Sequence, residues 1–399
     1  MKKLFVILIV LCMLLPLSVS AEDEAAVYPY EYAWEEFWYE EAEQAVSLSG
    51  DFKVKSAFLM EASTGKVLYS LNENDRLPIA SVTKIMSTIL VMEAIDSGKI
   101  KLEDMVTVSE HAASMGGSQV FLEAGEQMSV HEMLKALVVV SANDATLALA
   151  EHIYGSEESF IMEMNKRAKD LGMENTNFIN TNGLPIENHY SSAEDVALMT
   201  QELLKYPLIF EYTTIWMDTI RNGTFGLANT NKLVRFYNGA NGMKTGFTNE
   251  AMFCLSGTAK RDGMQLISVV LGADTSDARF STVKKMLDFG FANYSIVTPE
   301  KLTLEPISII KGVKETADID YTPSSILLEK GKKSSITQTA HIDQPPEAPV
   351  KKGDTVGYIS YEVDETEITR VPVYITEDVD KISYFVILGR IIKNIFSFF

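Results

Sequence analysis

The spacing of apolar residues changes its period several times along the chain, and each change marks a different predicted element. The stretch AFLMEASTGKVLYSLN has apolar runs on either side of a Thr64-Gly65 turn, which predicts a β-hairpin. After Ser81, apolar residues recur every three or four positions up to Gly98, the period of a helix that buries one face. A compact α/β domain is therefore predicted to begin at about residue 51.

Two further helices are predicted to follow, separated by a short break. The stretch SVHEMLKALVVV opens with a capping box, Ser129 and Glu132, and then becomes almost wholly apolar. That composition predicts a helix buried on most sides. The pattern breaks at residues 141–144, after which DATLALAEHIYG resumes a helical period.

Residues 242–273 predict three consecutive strands. The segments GMKTGFT, AMFCLSGTAK and MQLISVVLGA are separated by turn residues at 248–250 and 262–263. The segment TSDARFSTVKKMLDFGF then predicts a closing helix with a polar start. This order of elements predicts an α/β (α+β) domain over residues 51–298, with an antiparallel sheet flanked by helices.

The pattern of apolar and polar residues changes twice within the last hundred residues. Residues 299–379 contain short β-like segments between glycine- and proline-bearing turns, which predicts a small all-β domain. Residues 380–399 predict an amphipathic helix whose polar side collects basic Arg390 and Lys393, with Ile, Leu, Val and Phe opposite.

Three interpretations of this terminal helix are open. A spanning helix needs roughly 20 apolar residues, and each central charge costs about 2.5–3.5 kcal/mol. A helix lying in the interface of an anionic membrane avoids that cost and is favoured over a spanning helix or a packed core helix.

The amino-terminal 50 residues have two parts. Residues 1–21 place two lysines before an apolar run and end in Val-Ser-Ala, the layout of a cleaved signal peptide rather than a retained anchor. Residues 22–50 hold nine acidic residues, no basic ones and seven aromatic ones. They are interpreted as either a solvated spacer or a docking segment for a partner.

Composition excludes several kinds of function. The net charge of −20 makes the chain a poor nucleic-acid binder. After signal-peptide removal only Cys254 remains, so no internal disulfide is expected. The five histidines show no metal-ligand spacing, so neither a metal nor another cofactor is expected.

The strongest candidate for chemistry is the pair Ser81 and Lys84. Positions three apart on a helix lie on one face, about 5–6 Å apart. The ordinary pKa of lysine is about 10.4, and burial, the helix dipole and a second nearby cation would each lower it. A neutral Lys84 could accept the hydroxyl proton of Ser81 and make it a nucleophile. By itself this spacing is common in helices.

Two further motifs add to that pair. Ser141 and Asn143 lie at the predicted break between helices, and Lys244-Thr245-Gly246 lies on the first strand of the three. Ser-x-x-Lys, Ser-x-Asn and Lys-Thr-Gly in this order are typical of serine β-lactamases and penicillin-binding proteins.

The chain resembles the D-alanyl-D-alanine carboxypeptidases, the low-molecular-mass penicillin-binding proteins of the S11 peptidase type. The resemblance covers about residues 52–379 and includes the APVKKGDTVGYI stretch of the β domain. The other matching segments are LMEASTGKVLYS, PIASVTKIMS, ASMGGSQVFLEAGE, VVSANDA, FINTNGLP, HYSSAEDVA and NGMKTGFTNEAMFCLSG. It implies a β-lactamase/transpeptidase-like catalytic domain, a β-rich second domain and a terminal amphipathic helix.

The resemblance also implies residue roles. Ser81 would be acylated, Lys84 would be its general base, Ser141 would relay a proton to the leaving D-alanine, and Asn143 would hold Lys84 and the substrate amide. The strand residues complete the set: Lys244, Thr245 and Gly246 would bind the terminal carboxylate, and the N–H of Phe247 would join that of Ser81 in an oxyanion hole.

Three other polar residues are given structural roles. His189 is predicted to fix a loop rather than to act as a base. For Arg279, a surface or helix-start role is favoured over binding the substrate carboxylate. Cys254 is predicted to be a small packed hydrophobe.

The sequence therefore predicts a carboxypeptidase that removes the last D-alanine from peptidoglycan stem peptides and is trapped by β-lactam antibiotics. A serine β-lactamase is the closest alternative, but no E-x-x-L-N motif follows Ser141. A non-catalytic cell-wall scaffold or sensor is the other. Export is expected, with the protein peripheral on the outer face of the cytoplasmic membrane through its C-terminal helix.

Overall fold

The computed structural model describes residues 30–33, 48, 52–330, 336–386 and 388. The described residues form two compact units. The larger unit contains residues 48, 52–299 and 325–330, and the smaller contains residues 30–33, 300–324, 336–386 and 388.

The strands of the larger unit are, in chain order, β1 (Ser56–Glu61), β2 (Val67–Leu71), β3 (Met105–Thr107), β4 (Gln127–Ser129), β5 (Met217–Ile220), β6 (Phe225–Ala228), β7 (Ala240–Thr248), β8 (Met252–Arg261), β9 (Met264–Ala273), β10 (Tyr294–Val297) and β11 (Ile326–Glu329). Its α-helices are α1 (Lys84–Asp96), α2 (Glu110–Ala113), α3 (Val130–Val139), α4 (Asn143–Tyr154), α5 (Glu157–Asp170), α6 (Ala193–Leu203), α7 (Phe210–Thr213), α8 (Leu233–Phe236) and α9 (Ser276–Asn293). Two 3₁₀ turns, Ala80–Thr83 and Pro207–Ile209, precede α1 and α7.

The central sheet has five antiparallel strands in the order β2-β1-β9-β8-β7. The predicted hairpin is β1 and β2, and the predicted three-strand run is β7, β8 and β9. On one face, α9 packs Val283 and Leu287 against apolar sheet residues such as Leu255. Gly290 allows this approach, because a Cβ there would lie 2.5 Å from Leu266 Cδ1.

A larger apolar core covers the other face and contains most of α1, α3 and α4. Helix α1 is buried almost all round, from Lys84 to Met92. The helix predicted to open at Ser81 begins instead with the 3₁₀ turn, which places Ser81 on that turn and Lys84 at the first α-helical position.

Half of the predicted capping box forms at the start of α3. Ser129 Oγ accepts a hydrogen bond from the N–H of Glu132 at 3.2 Å. The Glu132 carboxylate accepts a bond from the N–H of Arg221 at 2.8 Å. The side chain therefore ties α3 to the β5–β6 hairpin.

The smaller unit is built mainly of strands. They are Tyr30–Ala33 and then β12 (Ile307–Ser308), β13 (Thr316–Ala317), β14 (Ile319–Asp320), β15 (Ile336–Ile342), β16 (Thr355–Val363) and β17 (Thr366–Ile375). The sheet runs in the order of strand 30–33, then β15-β16-β17-β14. Strand β11 lies inside the range predicted as the β-rich domain, yet it pairs with β10 and belongs to the larger unit.

The predicted fold class, a sheet with flanking helices followed by a β-rich domain, is confirmed. Residues 387 and 389–399 of the predicted C-terminal amphipathic helix and the whole predicted signal peptide lie outside the described residues. Within the described ranges, no helix combines the length and apolar character needed to cross a bilayer.

Candidate active site

Ser81 and Lys84 meet at the junction between the 3₁₀ turn and α1. Lys84 Nζ lies 2.9 Å from Ser81 Oγ, 2.5 Å from Asn143 Oδ1 and 3.0 Å from the carbonyl oxygen of Asn182. The lysine is completely buried. These three oxygens surround the amine, and only the Ser81 oxygen carries a proton that it can donate.

These three contacts accommodate either an ammonium or an uncharged amine. A neutral amine has two N–H donors and one lone pair, whereas an ammonium has three donors and no acceptor. When the amine is uncharged, the carbonyl-type oxygens of Asn143 and Asn182 accept its two N–H bonds, and its lone pair faces Ser81 Oγ. Ser81 can then donate its hydroxyl hydrogen to Lys84 Nζ.

The electrostatic surroundings of Lys84 favour the uncharged state. Burial is the main cause that lowers its pKa well below the ordinary value, and the charge of Lys244 is the second. The charge of Asp144 acts in the opposite direction. Lys244 is thus the second cation that the sequence required, and it comes from a strand of the central sheet.

Asn143 is held in one orientation at the start of α4. Its Nδ2 donates to the carbonyl of Gly116 at 2.6 Å, and its backbone N–H donates to the carbonyl of Ser118 at 2.7 Å. Because the amide nitrogen is already engaged, Oδ1 must point at Lys84. The 116–122 loop therefore sets the position of Asn143.

This loop is held from both sides by opposite charges. From inside, the buried Asp144 carboxylate accepts the N–H groups of Val120 and Leu122, each at 3.1 Å. From outside, the Arg221 guanidinium donates to the carbonyl oxygens of Val120 at 2.8 Å and Phe121 at 3.1 Å. It also forms two bonds with the Glu126 carboxylate.

Ser141 occupies the predicted break between α3 and α4. It has a left-handed backbone, φ 65°, and its side chain is buried. Among the described residues, its Oγ has no hydrogen-bond partner. A buried, unpaired hydroxyl next to Asn143 and α4 is free to bond an incoming polar group.

Lys244 and Thr245 lie side by side on β7. Burial, followed by the charge of Arg279, lowers the pKa of Lys244 to about 7. Its Nζ donates to the carbonyl of Thr245 at 3.0 Å, and Thr245 Oγ1 donates to Thr230 Oγ1 at 2.7 Å. An arriving carboxylate would find a cation and two hydroxyls together.

Gly246 brings β7 against the 3₁₀ turn. A Cβ at this position would lie 2.7 Å from the carbonyl oxygen of Ile79 and 3.1 Å from the backbone nitrogen of Ser81. Only glycine permits this approach, which brings the strand carrying Phe247 up to the N–H of Ser81. The Phe247 ring itself points outward, 53% exposed and against Phe253.

The predicted structural roles of His189 and Cys254 agree with their surroundings. His189 Nδ1 accepts the N–H of Ile179 at 3.1 Å, so its other nitrogen donates to Thr83 Oγ1 at 2.8 Å. Burial lowers the pKa of His189 to about 4, so it is neutral at pH 7. Cys254 is a buried free thiol on β8.

The surface role considered for Arg279 is wrong, although the residue does lie in the first turn of α9. Arg279 is buried, and its guanidinium donates to the carbonyl oxygens of Gly246 and Cys254, each at 3.2 Å. It therefore supports β7 from behind, where its charge reaches Lys244.

Four groups contribute to the site without having been predicted from the sequence: the Asn182 carbonyl, Asp144, Arg221 and Thr230. Backbone carbonyls carry no side-chain signal, and the other three act through partners distant in the sequence. Asp144 alone had a local signal, since an acidic residue directly follows the Ser-x-Asn motif. Within the described ranges, no grouping of acidic, histidine or cysteine residues is fit to hold a metal ion.

The fold and the geometry define a class of protein in which a serine hydroxyl lies beside a buried lysine, an arrangement suited to acyl transfer. Residues 41–275 match the family described as D-alanyl-D-alanine carboxypeptidase, and residues 302–381 match the penicillin-binding protein 5 C-terminal domain. The chain belongs to the D-alanyl-D-alanine carboxypeptidase family.

Individual relatives agree with that assignment. D-alanyl-D-alanine carboxypeptidase DacF of Bacillus subtilis is 46% identical over 85% of this chain and 89% of the relative. Among solved structures, penicillin-binding protein 5 from Haemophilus influenzae superposes with a TM-score of 0.73 at 32% identity, covering 84% of this chain and all of the other. Penicillin-binding protein D2 from Listeria monocytogenes, in its ampicillin-bound form, gives 0.55 at 32% identity over 60% of this chain and 98% of the other.

These comparisons confirm the carboxypeptidase prediction at the level of the family and identify the chain as a serine-peptidase type of hydrolase. They do not favour the β-lactamase or the scaffold alternative.

Proposed function

We propose that the enzyme removes the terminal D-alanine from peptidoglycan stem peptides through an acyl-enzyme on Ser81. Lys84 Nζ takes the hydroxyl proton while Ser81 Oγ attacks the carbonyl carbon of the penultimate D-alanine. The N–H groups of Ser81 and Phe247 stabilise the oxyanion, a contribution of about 2.7–4 kcal/mol for each donor.

Collapse of the tetrahedral intermediate then breaks the peptide bond. The departing nitrogen takes a proton delivered from Lys84 through the Ser141 hydroxyl, and D-alanine leaves. Water attacks the Ser81 ester in the second half, with Lys84 again accepting a proton. The shortened peptide departs and Ser81 regains its hydrogen.

Substrate binding is assigned to the neighbouring polar groups. Lys244 and Thr245 bind the terminal carboxylate, with Gly246 keeping the strand close enough to do so. Asn143 keeps Lys84 in place and bonds the substrate amide. The observation that carries the proposal is the contact set of Lys84 Nζ, with two carbonyl-type acceptors and one hydroxyl.

The test is covalent trapping, since a β-lactam acylates the same hydroxyl and leaves slowly. Intact-mass spectrometry of the full chain with labelled penicillin should show one adduct, and peptide mapping should place it on Ser81. The Ser81→Ala variant should lose both the adduct and D-alanine release, while Ser281→Ala, at an exposed serine of α9, should keep both. An adduct on another peptide, or D-alanine release at the parent rate by Ser81→Ala, would refute the mechanism.

We further propose that the chain is exported and rests peripherally on the outer face of the cytoplasmic membrane. Support comes from the signal-like start of the sequence and from the basic, amphipathic residues 380–399. Truncation after Val379 should move active protein from the membrane pellet to the supernatant. Continued sedimentation of the truncated enzyme with membranes would contradict the anchor.

A further inference from the structure

A cavity of about 360 Å³ opens beside the proposed nucleophile in the larger unit, and no step of the proposed reaction uses it. Its volume falls in the range of roughly 300–1,000 Å³ that is typical of small-molecule sites. Three segments line it: residues 78–80, the 183–187 segment together with His189, and Thr248 with Glu250 at the end of β7.

The cavity adjoins the site on three sides. Ala80 immediately precedes Ser81 in the sequence, and Thr248 immediately follows Phe247. The third side, the 183–187 segment, directly follows the residue whose carbonyl bonds Lys84 Nζ. The cavity therefore begins one residue beyond each of the two proposed oxyanion donors.

The residue order along β7 determines which part of a peptide reaches this cavity. Thr245, assigned to the terminal carboxylate, comes first, the N–H of Phe247 lies two residues on, Thr248 ends the strand, and Glu250 follows in the turn. A strand advances about 3.3 Å per residue, close to the reach of an extended peptide. With its carboxylate at Thr245 and its scissile carbonyl at Phe247, a substrate places the residue before D-Ala-D-Ala beside the cavity.

The lining selects the chemistry of that residue's side chain. Leu184, Pro185 and Ile186 offer apolar contact, and Glu187 and Glu250 are exposed carboxylates. Neither carboxylate has an ion-pair or hydrogen-bond partner within the described part of the chain. No lysine or arginine is among the described lining residues, so the cavity suits an alkyl chain that ends in a cation.

The two ends of the site thus have opposite charge. Lys244 and Arg279 lie toward the part of β7 that is assigned to the substrate carboxylate. Glu187 and Glu250 lie at the cavity, beyond the other end of that strand. A peptide with a terminal carboxylate and a side-chain ammonium matches this polarity in only one direction, and such complementarity favours specificity and register.

We propose that this cavity is the subsite for the side chain preceding D-Ala-D-Ala, and that Glu187 and Glu250 select an ammonium with no free carboxylate beside it. The proposal rests on the proposed function. It predicts that a lysine side chain, or a diamino acid whose distal carboxylate is amidated, is preferred over a diamino acid with a free distal carboxylate.

The test uses three peptides that differ only in this side chain. The purified full chain is given Nα-acetyl-X-D-Ala-D-Ala, where X is L-lysine, L-norleucine or L-2-aminoadipate, and kcat/KM is measured from D-alanine release. We expect lysine to exceed norleucine by about three- to tenfold, the effect of two partly screened charge pairs. Aminoadipate should fall below norleucine.

Variants assign the preference to the two carboxylates. Glu187→Gln and Glu250→Gln should each lower the lysine-to-norleucine ratio, while Glu211→Gln, an exposed carboxylate outside the cavity, should keep the parent ratio. Equal kcat/KM for the lysine and norleucine peptides in the parent enzyme, or an equal fall in Glu211→Gln, would overturn the subsite. Failure of the proposed function would look different, because no peptide would release D-alanine and penicillin would leave no adduct on Ser81.

Discussion

Replacing Arg221 with methionine tests whether the 116–122 loop must be held from outside for the serine to react. The substitution keeps an apolar side chain of similar length but removes all four side-chain hydrogen bonds of the guanidinium. Asp144 still holds the loop from inside. The loop should therefore loosen without being released, and Asn143, bonded to its Gly116 and Ser118 carbonyls, should lose its fixed orientation.

The size of the effect follows from the contacts. Hydrogen bonds from a charged donor contribute about 1.5 kcal/mol each at the low end, so the two bonds to carbonyl oxygens would contribute about 3 kcal/mol together. Because the Arg221 side chain is 26% exposed, solvent reduces that contribution to about half. The pair with Glu126, itself 23% exposed, adds about 1 kcal/mol. If half of the resulting 2–3 kcal/mol, roughly, acts on Asn143, acylation slows by about tenfold.

The assay is the second-order rate of acylation by a fluorescent penicillin, measured together with the unfolding midpoint. Lys135→Met is the matched control, because Lys135 pairs with Asp218 at 2.7 Å on the same β5–β6 hairpin but is not bonded to the loop. Arg221→Lys, which keeps the charge, should recover part of the rate. Parent-like acylation by folded Arg221→Met, or equal slowing in Lys135→Met, would refute the positioning role.

Two further predictions concern the amine and the strand. Because only neutral Lys84 can accept a proton, acylation should fall as the pH drops through its lowered pKa. Lys244→Met removes a like charge and should raise the pKa of Lys84, which moves the acid limb of the rate profile to higher pH. Asp144→Asn removes an opposite charge and should move that limb to lower pH. An acid limb that stays in place in both variants would rule out control by these charges. Gly246→Ala should reduce acylation by about 10²–10³-fold, the cost of one oxyanion donor, because the new Cβ displaces β7 from the 3₁₀ turn. Gly226→Ala, where a Cβ meets no atom within 4 Å, should acylate at the parent rate.

Local periodicity was sufficient for most elements of the larger unit. The hairpin, the three-strand run and α9 are encoded by nearest-neighbour patterns and turn residues, which act within a few positions of the chain. The predicted start of α1 was less accurate. Ala80 adopts a positive φ of 48° at the point where β7 and the 183–187 segment pack against the 3₁₀ turn. Packing by segments that are distant along the chain does not produce a hydrophobic period in the local sequence.

The sequence by itself determined which groups are available for chemistry: a serine and a lysine three positions apart, a Ser-x-Asn break between helices and a Lys-Thr-Gly strand. Only the tertiary structure decided the state of those groups. Lys84 is favoured as a neutral amine because the fold buries it completely and brings the positive charge of Lys244, distant in the sequence, close to it. Burial and charge are properties of the assembled fold, so the proton affinity of that amine cannot be read from the residues beside it.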